Sequence, residues 1–405
     1  MRVVVVGAGI SGVAAAHALR QQAPEIAVTV LDGAAQIGGK LRTSEIVGKP
    51  VDEGAEAFVL RAPEGVELAR LTGLADQLVS AATTSAGLVV DGELRALPAG
   101  SLLGIPTQAG PIGSSLGEDA ALAVTAEPQL PGTPLTEDVS VGELTRRRLG
   151  DAIVDCLVDP LLGGVYAGRA DQLSLQATMP AVAAELTHTP SLVRAAEAAL
   201  EAARRGPGAA APARGRSDDG ERPTVGRLPA SAVFGTVRGG MGALPDAVLR
   251  ASGAELRLRL PVREVLRSGH GFRVIAGPVP APTLLDADAV IIAAPAAKAA
   301  PMLSELAPMA SYELAQIEYA SLAIVTLAYQ AGALPPGSGM LVPATAGRRV
   351  KALTYSSQKW AHLAGEHVIV RASIGRHGDE QALHRDDAEL VELAARDAAE
   401  LTSLP

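Results

Sequence analysis

The sequence predicts an α/β protein that opens on a Rossmann-like unit, and three observations near its amino end carry that reading. Arg2 to Val6 reads RVVVV, valine after its first residue with no polar alternation, as in a parallel strand covered on both faces. Gly7, Gly9 and Gly12 follow in the spacing G-x-G-x-x-G. A second buried strand, IAVTVL from Ile26 to Leu31, ends at Asp32, which completes a βαβ unit of the usual length.

The other elements follow along the chain. ISGVAAAHALRQQ, Ile10 to Gln22, is a helix stopped by Pro24, because proline cannot continue the backbone ladder. Residues 100–140 are rich in Gly, Pro, Ser and Thr and read as loops, with a helix starting near Val141. Leu149 to Gly168 reads as a helix broken at Pro160 and closed by glycines. An Ala-rich helix from Ala196 decays toward Pro223 into Gly, Pro, Arg and Asp. With no large apolar residue to bury, residues 204–223 are expected to be mobile. AELRLRLPVREVLRS and GFRVIAG alternate like a strand pair. Asp286 to Ala296 is another buried strand, ending in Ala-Pro, and SLAIVTLAY and EHVIVRASIG are two more. An amphipathic helix runs to the carboxyl end.

Composition narrows the class. Hydrophobic residues make up 48% and charged residues 20%, enough for a sizeable folded core. Aromatics are only 2%, so that core is built from Ala, Val and Leu. A net charge of -9 argues against nucleic acid as a partner. A single cysteine, Cys156, allows no internal disulfide, which fits a reducing compartment, and its apolar neighbours suggest a buried structural thiol. The amino end reads as a strand rather than a signal peptide. No apolar run reaches the roughly 18 to 20 residues of a spanning helix, so the sequence reads as soluble or at most resting on a membrane surface. The seven histidines show no metal-ligand spacing. The nearest pair, His362 and His367, reads as surface, and no metal is expected.

The glycines imply a dinucleotide. Gly7 allows a sharp turn off the strand, Gly9 lets bare backbone approach a pyrophosphate, and Gly12 lets helix and strand pack closely. The phosphates would then lie at a helix N-terminus, where unpaired N–H groups and the helix dipole favour negative charge. Asp32, about 20 residues beyond Gly12, is placed to accept hydrogen bonds from ribose hydroxyls and to disfavour a 2′-phosphate. The competing reading is a tight turn that holds nothing. GAAQIGGKLRT then adds Gly38, Gly39, Lys40 and Arg42. This second glycine pair with cations is ill placed for a nicotinamide enzyme but well placed to bring N–H groups and positive charge to the same pyrophosphate. VDEGAEAFVLR, Val51 to Arg61, supplies a third glycine-centred bend. The flavin reading follows from these additions.

GAGISG, LDGAAQIGGKLRT and VDEGAEAF in this order resemble the flavin amine oxidase superfamily. VDPLLGGVYAGRADQLSLQATMP, Val158 to Pro180, resembles the porphyrinogen oxidases of haem biosynthesis, with GIPTQ, VRGGMGALPDAV and SSQKW in agreement. The resemblance spans nearly the whole chain. It implies a Rossmann-like FAD-binding domain of the para-hydroxybenzoate hydroxylase type with an α+β substrate-binding domain. The FAD domain would take residues 1–60 and 226–300. The substrate domain would take 61–225, with helices able to touch a membrane, and 301–405. FAD would meet Gly7, Ala8, Gly9, Ile10, Ser11, Gly12, Asp32, Gly33, Gly39, Lys40, Arg42, Gly54, Ala55, Glu56 and Ala57, with the Val262 backbone against the adenine.

The implied activity is oxidation of a porphyrinogen by hydride loss to FAD, with molecular oxygen as final acceptor. No dedicated nucleophile is needed, since the cofactor carries the hard step. The Ala-rich, Lys-poor composition favours coproporphyrinogen III as substrate in a cytoplasmic bacterial enzyme. Protoporphyrinogen IX is the alternative substrate, and an amine oxidase or desaturase-like flavoenzyme the alternative class. The family adds a strand and a glycine-rich turn after the last helix seen here, so a truncated, non-catalytic remnant is a further reading. Arg61 resembles the family's basic position for a substrate propionate, and an exposed loop arginine is the plain alternative. Arg169 is a weaker candidate for the same role. Trp360 would either wall the flavin pocket or pack in the core. The sequence leaves a homo-oligomer open.

Overall fold

The computed structural model describes residues 1–60, 62–205, 228–229, 232–330 and 332–404. Arg61 and nearly all of the segment 204–223 lie outside the described residues. The chain divides into two compact units, Met1–Ala81 with Pro223–Tyr319 and Ala82–Arg222 with Ala320–Pro405. Residues 61–81 and 301–319, assigned from sequence to the substrate domain, fall within the limits of the first unit. Pairing is one reason: Leu78–Ser80 runs antiparallel to Phe234–Val237, which also pairs with Phe58–Val59.

The first unit is built on a four-stranded parallel sheet. Its order is Glu255–Arg257, Ala27–Leu31, Arg2–Val6, Ala289–Ile292. Val5 lies opposite Val30 on one side and Ile291 on the other. Val3 to Val6 are all buried, which is why the segment carries no polar alternation. The helix Ile10–Gln22 packs against the helix Ala243–Ser252.

Two segments read as single strands are each divided between two sheets. AELRLRLPVREVLRS contributes Glu255–Arg257 to the parallel sheet and Val262–Ser268 to an antiparallel meander with Gly271–Ala276 and Thr283–Ala287. The joint holds Arg259 at φ 55° and Pro261, neither compatible with an uninterrupted strand. The Asp286 to Ala296 run divides at Asp288. Its N–H donates to the Arg2 carbonyl at 2.9 Å, and its carboxylate accepts from the Arg2 N–H at 2.6 Å. Thr283–Ala287 therefore closes the meander, while Ala289–Ile292 enters the parallel sheet beside Arg2–Val6.

The second unit carries a six-stranded sheet in the order Ala323–Tyr329, Val368–Ile374, Val350–Tyr355, Gly339–Leu341, Gly87–Val90, Glu93–Ala96. The expected terminal helix is present as Asp387–Thr402, opened by a reciprocal cap between Asp386 and Glu389, and Leu390, Leu393, Ala394 and Ala398 join the sheet's core. A separate helical core surrounds Leu157, Leu162 and Leu192. Among the described residues, no helix is long and apolar enough to cross a membrane.

Two segments of this unit differ from the pattern the sequence predicts. Residues 100–140 are not all loop: Ala109–Leu116 and Glu118–Ala126 are helices. Ile112, Ala120 and Val124 bury one stripe of them, and Leu116 packs beside it. Gly117 at φ 97° separates the two. The helix through Pro160 is not broken there. Asp151–Ile153 passes into a π-helical turn, Val154–Val158, closed by the Asp159 N–H on the Val154 carbonyl, and Asp159–Tyr166 follows. Pro160 thus directly follows a π-helical turn, where the ladder is already widened and the proline is accommodated without ending the helix, and Ala167 at φ 55° ends it.

Candidate functional site

The first unit contains a cavity of about 810 Å³ at the carboxyl ends of its parallel strands. That is where open α/β sheets bind ligands, and the volume lies in the roughly 300 to 1,000 Å³ range of cofactor sites. Val6, Gly7, Gly9, Ile10, Ser11, Leu31, Asp32 and Gly33 form one part of its wall, and Gly38, Gly39, Lys40 and Leu41 another.

Each glycine of the first loop has a distinct reason for being one. Gly7 has φ 108°, and a Cβ there would sit 2.5 Å from the Ala293 carbonyl oxygen. A Cβ on Gly12 would lie 1.8 Å from the Gly7 carbonyl oxygen, so the first turn of the helix can fold back only on a bare residue. Gly9 differs: a Cβ there would meet nothing within 4 Å. Its side-chain direction is open, and its backbone lines the cavity. The Gly9 carbonyl accepts from the N–H groups of Gly12 and Val13 at 3.0 and 3.1 Å. Ile10 and Ser11 begin the helix with no side-chain cap, and helix-start N–H groups have no intrahelical acceptor.

The second glycine loop closes on the first. Gly38 donates its N–H to the Ala8 carbonyl at 2.9 Å. Gly38 and Gly39 have φ 105° and 60°, and a Cβ on Gly39 would approach the Gly9 Cα at 3.3 Å. Asp32 ties the start of the site together: its Oδ2 accepts from the Ala8 N–H and its Oδ1 from the Ala34 N–H, both at 2.7 Å. The carboxylate is thereby held at the cavity wall with lone pairs left for ligand hydroxyls.

Of the residues expected at a cofactor, Gly7, Gly9, Ile10, Ser11, Asp32, Gly33, Gly39, Lys40 and Val262 line this cavity. Ala8 and Gly12 shape it from behind. Arg42 turns instead to Glu53, 2.8 Å away. Gly54 and Ala55 support the second loop. A Cβ on Gly54 would meet the Lys40 carbonyl oxygen at 2.1 Å, and the Ala55 N–H donates to that oxygen at 3.2 Å. Glu56 and Ala57 continue this bend outside the lining. Arg61 lies outside the described residues. Trp360 belongs to the second unit, where it is 2% exposed and fills the interior. Arg169 is exposed there. Cys156 is half-buried rather than fully buried, and burial, then the Asp155 charge, pushes its thiol up.

Several lining residues escaped the sequence reading. Ala293, Ala294, Pro295 and Lys298 follow the Ala289–Ile292 strand, Met302 comes one turn later, and Tyr319 stands at the unit's end. The Tyr319 hydroxyl accepts from the Ala296 N–H at 3.0 Å, and the Lys40 Nζ stands 5.6 Å from its ring centroid. The usable signal was the Ala-Pro end of a buried strand, since the segment after a parallel strand regularly borders the ligand crevice.

These features fit a dinucleotide. Bare backbone at Gly9 and Gly39, a helix N-terminus and the cations Lys40 and Lys298 suit a diphosphate, and a fixed carboxylate suits a ribose. The flavin containing amine oxidoreductase family matches residues 10–404. A relative from Mycobacterium tuberculosis, named coproporphyrinogen III oxidase, is 38% identical over 403 residues, covering 97% of this chain and 80% of its own. A Bacillus subtilis relative of the same name is 29% identical over 416 residues, covering 99% and 83%. A crystal structure from an Exiguobacterium species superposes with a TM-score of 0.81 at 28% identity, covering 99% of this chain and 82% of its own.

Proposed function

Because the chain belongs to the flavin containing amine oxidoreductase family, we propose that it is an FAD-dependent porphyrinogen oxidase acting on coproporphyrinogen III. The observation that carries the substrate is the 38% identity, sustained over 97% of the chain, to a relative bearing that name. FAD when bound supplies the two-electron acceptor for hydride from the reduced macrocycle and passes electrons on to molecular oxygen.

In this reading the residues of the first unit hold the cofactor. Gly9 and Gly39 leave backbone room for its diphosphate, and Ile10 and Ser11 offer helix-start N–H groups. Lys40 and Lys298 balance the phosphate charge, and Asp32 accepts the ribose hydroxyls. Arg61 meets a substrate propionate, which a guanidinium can grip with two parallel hydrogen bonds. Site of action is the cytoplasm.

Side-by-side oxygen-consumption assays with coproporphyrinogen III and protoporphyrinogen IX test the proposal. The expected result is faster turnover of coproporphyrinogen, with coproporphyrin fluorescence appearing as oxygen is consumed. Preference for protoporphyrinogen would move the assignment to that substrate, and oxidation of neither by flavin-loaded protein would end it. Arg61→Ala is expected to raise KM about tenfold or more with kcat little changed, the signature of lost binding common to ground and transition states. Unchanged steady-state kinetics would remove Arg61 from the substrate site.

A further inference from the structure

The second unit holds a small cavity walled by charged groups that the oxidase reading does not use. Its volume is about 10 Å³, and Asp159, Pro160, Gly163, Val342, Lys351 and Arg376 are among its walls. That is room for a single water-sized guest, too little for a phosphate or a carboxylate-bearing chain. Lys351 stands on the Val350–Tyr355 strand and is only 5% exposed. Its Nζ donates to the Gly163 carbonyl at 3.1 Å, which leaves two of its three N–H donors without an acceptor among the described residues. Arg376 follows the Val368–Ile374 strand and donates to the Val342 carbonyl at 2.9 Å.

Charge around the cavity does not balance. Among the described residues, neither Lys351 nor Arg376 has a carboxylate within ion-pair distance. Asp159 is the acidic wall, and its Oδ1 is engaged by the Ala170 N–H at 2.8 Å. Arg169 adds its field to that of Arg376. Arg349 does likewise, but it is matched by Asp379, 3.5 Å away. Two cations, Lys351 and Arg376, thus line the cavity with one carboxylate, Asp159, while the Asp379 charge, shared with Arg349, also reaches Arg376. A buried cation is costly unless it is paired. A water molecule would satisfy N–H donors but not the charge.

We propose that the cavity between Lys351 and Arg376 is a binding site for one monatomic anion, a halide such as chloride. The anion would accept from the unused Nζ donors and from the guanidinium, and it would neutralise part of the cationic excess. It would also join the Asp159–Tyr166 helix, through its neighbour Gly163, to the sheet strand that carries Lys351.

Two measurements on the full chain test this. Crystals grown in sodium bromide in place of chloride are expected to show a bromine anomalous peak between the Lys351 Nζ and the Arg376 guanidinium. No peak there would overturn the proposal and leave a water beside a neutral lysine. In solution, replacing gluconate by chloride at constant ionic strength is expected to raise the Tm by about 2 °C at saturation. The shift should disappear in Lys351→Met and in Arg376→Gln. Equal Tm values in the two salts for the wild-type chain would count against the site, as would a chloride shift that both variants retain. Should either variant fail to fold, the bromide peak in the wild-type chain decides.

Discussion

At the scale of single residues, Gly9 and Gly12 part ways. Both belong to one motif, yet a Cβ meets open space at the first and a carbonyl oxygen at 1.8 Å at the second. Gly9→Leu is expected to leave the Tm of the cofactor-free protein within about 2 °C of wild type, an exposed-site effect, while abolishing flavin uptake. Gly12→Val should instead lower the Tm sharply, because no side-chain adjustment relieves a clash with backbone. Flavin titrations and thermal melts on both variants separate the roles, and stoichiometric flavin in Gly9→Leu would refute the diphosphate assignment. Lys351 gives a pH signature. Burial, reinforced by Arg376, pushes its ammonium down to about 8 from the ordinary 10.5. In chloride-free buffer the unfolded chain therefore holds more protons than the native one between those values, and stability rises with pH across that window. Lys351→Met should show a smaller rise over the same range in denaturant titrations. Equal slopes would mean that the native lysine titrates normally.

Among the elements, the helix Leu192–Arg205 depends on a residue far from it in sequence. Glu127 is fully buried, and its Oε1 accepts from the Arg148 Nε at 2.6 Å and the Leu192 N–H at 2.8 Å. Its Oε2 accepts from the Ser191 hydroxyl at 2.6 Å and the Val193 N–H at 3.2 Å. One carboxylate so neutralises a buried guanidinium and caps the start of a helix. Glu127→Ala is expected to cost about 3 to 5 kcal/mol, because it strands the Arg148 charge. Urea unfolding should show this as a lower midpoint, and a loss under about 1 kcal/mol would show that water replaces the carboxylate. None of this was legible: Glu127 sits in AEPQL, which reads as an ordinary polar turn. The π-helical turn before Pro160 was equally hidden, since periodicity marks where a helix is but not how it passes a proline. The helices at 109–126 did carry a signal, Ile112, Leu116, Ala120 and Val124 at intervals of four, but the glycine and proline content of the segment masked it.

For the molecule as a whole, the cofactor-binding half was the readable part. Strand, turn and helix there are local, and the glycines are demanded by backbone geometry that few other residues can adopt. Ile10–Gln22 and Arg2–Val6 accordingly appear with the bounds read from sequence. What sequence could not supply was the partner of Arg2–Val6 on its other side, Ala289–Ile292, or the joints at Arg259 and Asp288, because these are set by contacts between distant stretches. The same limit explains Lys298 and Tyr319, which reach the cavity only through that distant pairing.

That pairing also bears on how the protein is made. As the ribosome releases its product, Arg2–Val6 emerges long before the neighbour that covers its second edge, which is complete only at Ile292. At about 5 to 20 residues per second, translation leaves an apolar valine edge unzipped for roughly 10 to 60 seconds. Nascent chains arrested before Ala289 should accordingly be cut by protease within the amino-terminal strand and retained by chaperones, and chains arrested well past Ile292 should resist both. Equal protection of the two arrested lengths would mean that the early segment finds shelter without its late partner.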